Sequence, residues 1–184
     1  MITIVTGSPR KRKEISSYIK DRIEYTFIAK DLDEIQGTSE EIIRNKAKVA
    51  HEIVQGPVVV EDYSLYIQKL SGFPGPYVKS VLKNGELAEI VNNLSQLGEI
   101  TCTAECFYAY IDKNNEFHLF STKANGILIP SENKFNPLYG VDEFLIQNGT
   151  TVPYAQLSDA EKDENSIRRL TIEKLIQHLN QNPL

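Results

Sequence analysis

The sequence predicts an α/β fold: a mixed, twisted sheet with flanking helices and an antiparallel hairpin lobe, set around a central active-site cleft. Three observations predict it. Strand-like and helical patterns alternate through the first third of the chain. An unbroken apolar run, "VVV" at 58–60, has the character of a strand buried on both faces. Two alternating, aromatic-rich stretches, "ITCTAECFYAYI" and "FHLFSTKANGILI", are separated only by the polar "DKNNE", as in a hairpin.

The elements follow in order. "MITIVTG" reads as a strand that breaks at Gly7. "SPRKRKEISSYIKDRI" reads as a helix, with Ser8 as N-cap and Pro9 at the first helical position, where its missing N–H is no loss. "YTFIAKDL" is strand-like. "TSEEIIRNKAKVAHEIV" is helical, capped by Thr38 or Ser39, with a glutamate three positions after Thr38. "GPVVVED" is a short buried strand ending in two adjacent acids, and "GFPGPYVK" is a turn that ends in Lys79. "ELAEIVNNLSQL" is helical, the hairpin comes next, and "PSENKFNPLYGVDEF" is irregular. "DAEKDENSIRRLTIEKLIQHLN" closes the chain as one helix whose buried side is marked by Ile167, Leu170, Ile172 and Leu175. The reading is a single domain over residues 1–184, in one or two lobes.

At 184 residues and 41% hydrophobic composition the chain can bury a substantial core. Its net charge of -5 offers no global field for nucleic acid or an anionic membrane, and no apolar run reaches the length of a membrane span. The strand-like N-terminus has no charged leader, and Cys102 and Cys106 alternate onto one strand face as reduced core thiols, so the expected compartment is the cytoplasm. His51, His118 and His178 fall on separate elements, beside no other candidate group. Neither a nucleophile elbow nor a zinc-type histidine spacing is present, which argues against triad and zinc hydrolases.

Two stretches carry chemistry. "TGSPRKRKE" sets a glycine turn before a helix whose first turns hold four cations. Cations there oppose the helix dipole, and a bound polyphosphate would resolve the conflict; an exposed basic helix face is the equal alternative. Glu34, Glu61 and Asp62 offer hard oxygens for magnesium, which bridges carboxylates to substrate phosphates. An ion would also relieve repulsion between the neighbouring acids, and a carboxylate left free of it can activate water.

With these motifs in place, the chain resembles the inosine triphosphate pyrophosphatase, or Ham1-like, family nearly end to end. The resemblance runs through Thr6-Gly7, Lys11, "EIQG", Lys46, "GPVVVED", "GFPGPYVK", "YGVD", "YAQL", "AEK" and "SIR". It implies a magnesium-dependent hydrolase that splits deaminated purine nucleoside triphosphates into monophosphate and pyrophosphate, commonly as a homodimer. It further implies that Thr6, Gly7, Ser8 and Lys11 hold the triphosphate with Lys46, Lys79 and Lys162. Glu34 and Glu61 would hold magnesium, with Asp62 binding metal or activating water. Tyr139 would stack on the base, and Asp142, Ser166 and Arg168 would read the purine edge. The chain departs from the family pattern at Ser8, at Val141-Asp142-Glu143 and at Ile167, where relatives carry asparagine, Trp-Asp-Pro and histidine. Two other readings stand beside this one: a nucleotide-binding descendant without turnover, and an α/β interaction protein whose acids and lysines are merely solvated.

Overall fold

A computed structural model describes residues 1–83, 85–131 and 140–182. The strands are β1 (Ile2–Val5), β2 (Tyr25–Ile28), β3 (Val58–Ile67), β4 (Pro74–Gly75), β5 (Ile100–Ile111), β6 (Phe117–Leu128) and β7 (Leu145–Gln147). The helices are α1 (Pro9–Ile19), α2 (Ser39–Val54), α3 (Val78–Lys83), α4 (Glu86–Ser95), α5 (Asp159–Asn165) and α6 (Ile167–Gln181). The strands form one sheet in the order β2-β1-β3-β5-β6-β7, with β4 on β3. β1 runs parallel to both β2 and β3, whereas β4 on β3 and β7 on β6 are antiparallel, which is the expected mixed sheet. Among the described residues no helix is long and apolar enough to cross a membrane.

The chain divides into two compact units. The first comprises residues 1–62, 106–122 and the segment from Ile167 onward; the second comprises 63–105 and 123–166. In the first unit, the α2 residues Ile43, Ala47 and Ala50 repeat at helical spacing and pack on Val5, Val58, Val60, Phe107, Ala109 and Ile111. The strand residues in that cluster alternate, so one sheet face meets the apolar stripe of α2. Thr38 starts this helix with a complete capping box to Glu41. In the second unit, Lys69 Nζ ties down the end of α4 by donating to the carbonyls of Leu97 (2.6 Å) and Gly98 (2.9 Å).

Three expectations change. The run at 56–62 is not a short strand ending in acids: β3 continues to Ile67, so Glu61 and Asp62 lie mid-strand and are buried, at 3% and 6% exposure. The closing helix is two helices, because Ser166 takes an extended conformation (φ -69, ψ 111) between α5 and α6. Restarting at Ile167 sets a different buried face: Thr171, Ile176 and Leu179 join Ile167, Ile172 and Leu175, while Leu170 is exposed. Lys79 sits in the first turn of α3 rather than at the end of a loop. Cys102 and Cys106 are free and buried, as read, and burial pushes the Cys102 thiol up to about 12.

Candidate active site

Strand β1 pairs with β3 only as far as Val5 beside Val60. The next residues on each carry the candidate chemistry: the Thr6-Gly7-Ser8 turn after β1, and Glu61 and Asp62 on β3. Open α/β sheets bind ligands beyond the carboxyl ends of their parallel strands, and this is such a place. The turn is tightly made. The Ser8 hydroxyl accepts from the Lys11 N–H (3.3 Å), Ser8 N–H donates to Thr6 Oγ1 (3.3 Å), and the Arg12 guanidinium donates to the Thr6 carbonyl (3.1 Å). A Cβ at position 7 would lie 2.4 Å from Asp31 Oδ1, so a larger residue there would have to displace the Asp31 side chain.

Successive side chains on a strand point to opposite faces, and this separates the two acids. Asp62 shares the parity of Val58 and Val60, which face α2. From α2, Lys46 donates to Asp62 Oδ1 and to Glu34 Oε1, each at 3.1 Å. Glu61 points the other way. Lys11 of α1 pairs with its Oε2, Arg168 of α6 donates Nε–H to its Oε1 at 3.1 Å, and the Cys106 thiol lies 3.6 Å from the same oxygen. Arg168 is held on its far side by Glu14. The repulsion expected of neighbouring carboxylates is thus eased by geometry, each acid having its own face and its own directly bonded cations.

The two environments drive the acids apart in basicity. Burial raises the Glu61 pKa, but the Lys11 ammonium and then the Arg168 guanidinium outweigh it and bring it down to about 2. For Asp62 burial prevails over Lys46 and Lys11, and Glu34 and Glu61 add to it, so its carboxyl is raised. Burial would lower Lys46, yet Asp62 and Glu34 together raise it, which keeps the ammonium charged. Among the described residues, Asp62 Oδ2 is buried with no hydrogen-bond partner. A buried carboxylate oxygen in that state is poised for a water or a cation.

Of the other sequence-predicted residues, Lys79, Asp142, Lys162 and Ser166 lie in the second unit. Lys79 is exposed on α3. On α5, Lys162 Nζ donates to the Ala155 carbonyl (3.1 Å), while its own carbonyl accepts from Tyr154 Oη (3.0 Å). Asp142 is half-buried in the 3₁₀ turn Gly140–Glu143, and Ser166 is buried at the break before α6. Tyr139 lies outside the described residues. Sequence reasoning missed Glu14 and Cys106. The only local sign of Glu14 was its i,i+4 spacing from Arg10, with which it pairs at 2.8 Å. The basic helix start has internal partners for Arg10, Lys11 and Arg12.

A family model described as the Ham1 family matches residues 2–178. The chain belongs to the Ham1 family. Among relatives, an inosine triphosphate pyrophosphatase of Schizosaccharomyces pombe is 33% identical, over 95% of this chain and 92% of its own. One of Puccinia graminis f. sp. tritici is 29% identical, over 96% of this chain and 95% of its own. The solved structure of a HAM1 protein from Coxiella burnetii shares the fold with a TM-score of 0.79 at 21% identity, covering 98% of this chain and all (100%) of that one. The match thus spans both units of the Ham1 chain, including all the acids and cations described above.

Proposed function

We propose that the protein hydrolyses nucleoside triphosphates, deaminated purines such as inosine and xanthosine triphosphate among them, to the monophosphate and pyrophosphate. The observation that carries this reading is the split acid pair: adjacent carboxylates, one held ionised by two cations and the other made more basic with an oxygen to spare. Environments that push paired groups apart mark out acid and base roles. Family membership and the relatives' names support the substrate class.

The residues fit magnesium. Glu34 and Asp62 present hard oxygens around one lysine, and Asp62 Oδ2 lacks any other partner. Glu34 and Glu61 would hold the ion, the latter once Lys11 leaves Oε2 for a phosphate, which leaves Asp62 Oδ2 to take a proton. When bound, the ion neutralises phosphate charge and polarises the phosphoryl group. Asp62 accepts the proton of a water whose oxygen attacks the α-phosphorus. The bond from that phosphorus to the bridging oxygen breaks, and the β- and γ-phosphates leave together. Lys11 and Lys46 stabilise the charge that gathers on the leaving pyrophosphate. The parts given to Thr6, Gly7, Ser8, Lys79, Lys162, Asp142, Ser166 and Tyr139 rest on the family resemblance. So does the homodimer, whereas the cytoplasmic setting rests on the reduced core thiols Cys102 and Cys106.

The test is product analysis over a panel of triphosphates with magnesium. Pyrophosphate is the expected product, and orthophosphate as the primary product would overturn the reading. Turnover of no triphosphate, with binding retained, would favour the second reading, a nucleotide binder without catalysis, which Ser8 and Ile167 motivate as departures from the family pattern.

Base preference is expected to follow from Ile167, whose side chain cannot hydrogen-bond and which is 6% exposed. Inosine over adenosine triphosphate is expected to be favoured by about tenfold to hundredfold less than in relatives that carry histidine, one edge contact being worth roughly 1–3 kcal/mol. Ile167→His should recover part of that ratio of kcat/KM values, at some loss of stability from placing an imidazole in a buried position. A wild-type ratio in the thousands, unchanged by the substitution, would show that other groups read the base.

A further inference from the structure

The loop between β5 and β6 gathers side chains that the nucleotide site does not use. His118 and His178, far apart in sequence, meet in the first unit with ring centroids 4.4 Å apart, and Tyr110 stacks near His118 at 5.7 Å. The loop itself is folded around Asp112. Its Oδ1 accepts from the backbone N–H groups of Asn114 and Glu116, both at 2.8 Å, which leaves Oδ2 for other partners. That oxygen lies 3.4 Å from His118 Nε2. One ligand atom each from Asp112, Glu116 and His118 falls within 4.8 Å of the other two. A cleft of about 370 Å³ opens on the group, lined also by His178 and Asn182.

The spacing is informative. An N–H···O hydrogen bond is normally about 2.7–3.2 Å long. Two ligand atoms on a tetrahedral ion with bonds of about 2.0–2.1 Å stand roughly 3.3 Å apart. The Asp112–His118 separation of 3.4 Å is at the long end for a direct hydrogen bond and also suits two ligands of one ion. Asp112 is also held rigidly by the two backbone bonds to its other oxygen, and the His118 ring is confined by Tyr110 and His178. Such outer contacts are what orient metal ligands.

We propose that Asp112, Glu116 and His118 bind a divalent first-row transition ion, such as zinc, with the His178 ring positioning His118 and water completing the coordination. Nitrogen with oxygen donors favours such an ion over magnesium, whereas Glu34, Glu61 and Asp62 offer oxygen alone. The inference is independent of the nucleotide chemistry, and the ion's role here is to fix the hairpin loop.

The probe is zinc chloride, titrated into the chelator-stripped full chain against a chromophoric competitor, with magnesium in excess to fill the oxygen-only site. One zinc per chain is expected. His118→Ala and Asp112→Asn should each weaken binding at least tenfold; asparagine can still accept the two backbone bonds of the turn, and thermal melts establish that both variants are folded. Asp62→Asn should leave zinc affinity unchanged. Absence of stoichiometric zinc, a loss under tenfold in either loop variant, or a matching loss in Asp62→Asn would each overturn the site.

Discussion

Asp62→Asn should lower kcat by about a hundredfold to ten-thousandfold while leaving the fold and nucleotide affinity largely in place, the range removed when a positioned base is lost. An amide cannot take a proton at the atom where Asp62 Oδ2 now sits without a partner. It remains close in shape, so Lys46 keeps an oxygen to donate to and retains Glu34 as its second partner. Single-turnover kinetics on inosine triphosphate, with binding measured separately, read the effect. The raised basicity of Asp62 also places a limb in the pH–rate profile: activity should fall as the medium becomes acidic enough to protonate it, and Asp62→Asn should lack that limb. Near-normal turnover in the variant would transfer water activation to Glu61.

Glu61→Gln should instead act on stability. Glu61 is 3% exposed and answers two cations, so neutralising it leaves Lys11 and part of the Arg168 charge uncompensated. Removing one partner from a buried charge pair destabilises by about 3–5 kcal/mol, and a chain of this size loses roughly 2–4 °C in Tm per kcal/mol. The pH dependence has a definite sign. The folded pKa of about 2 lies below the 4.5 of an ordinary glutamate, so the native state holds this proton less tightly than the unfolded chain. The contribution is fully present above about pH 4.5 and is lost as pH falls toward 2. A shift of that size is worth about 3 kcal/mol. Urea unfolding of the wild type and Glu61→Gln should therefore differ by that amount at neutral pH and converge near pH 2; a gap independent of pH would assign the loss to packing.

Much of the first unit was legible because its signals are local. Ser8, Pro9 and Thr38 mark helix starts by side-chain chemistry within three residues, and the apolar stripe of α2 is written at helical spacing. The length of β3 was not legible, because "EDYSLYI" continues the strand with polar residues that only neighbouring elements can satisfy. The roles of the acids lay in the same gap. Strand parity can be read from sequence once the strand is known to continue, but that Lys46 would meet one face and Lys11 with Arg168 the other depends on the placement of three helices. Glu14 and His178 were invisible for the same reason: each matters through a residue more than fifty positions away.

The pairing of every cation in the cluster has a kinetic consequence. Arg10, Lys11, Lys46 and Arg168 face Glu14, Glu34, Glu61 and Asp62, so the paired charges balance at four of each sign. On a chain whose net charge is already -5, a polyanion approaching from solution meets no attractive long-range field. Encounter is then governed by unaided diffusion, and added salt, by screening the repulsion, hastens it rather than slowing it. On the proposed function, recognition would begin only at contact, with Lys11 and Lys46 trading carboxylates for phosphate and the released carboxylates passing to the arriving cation. Such an exchange would strand no charge, which would make capture of a metal-bound nucleotide easier than capture of a bare one.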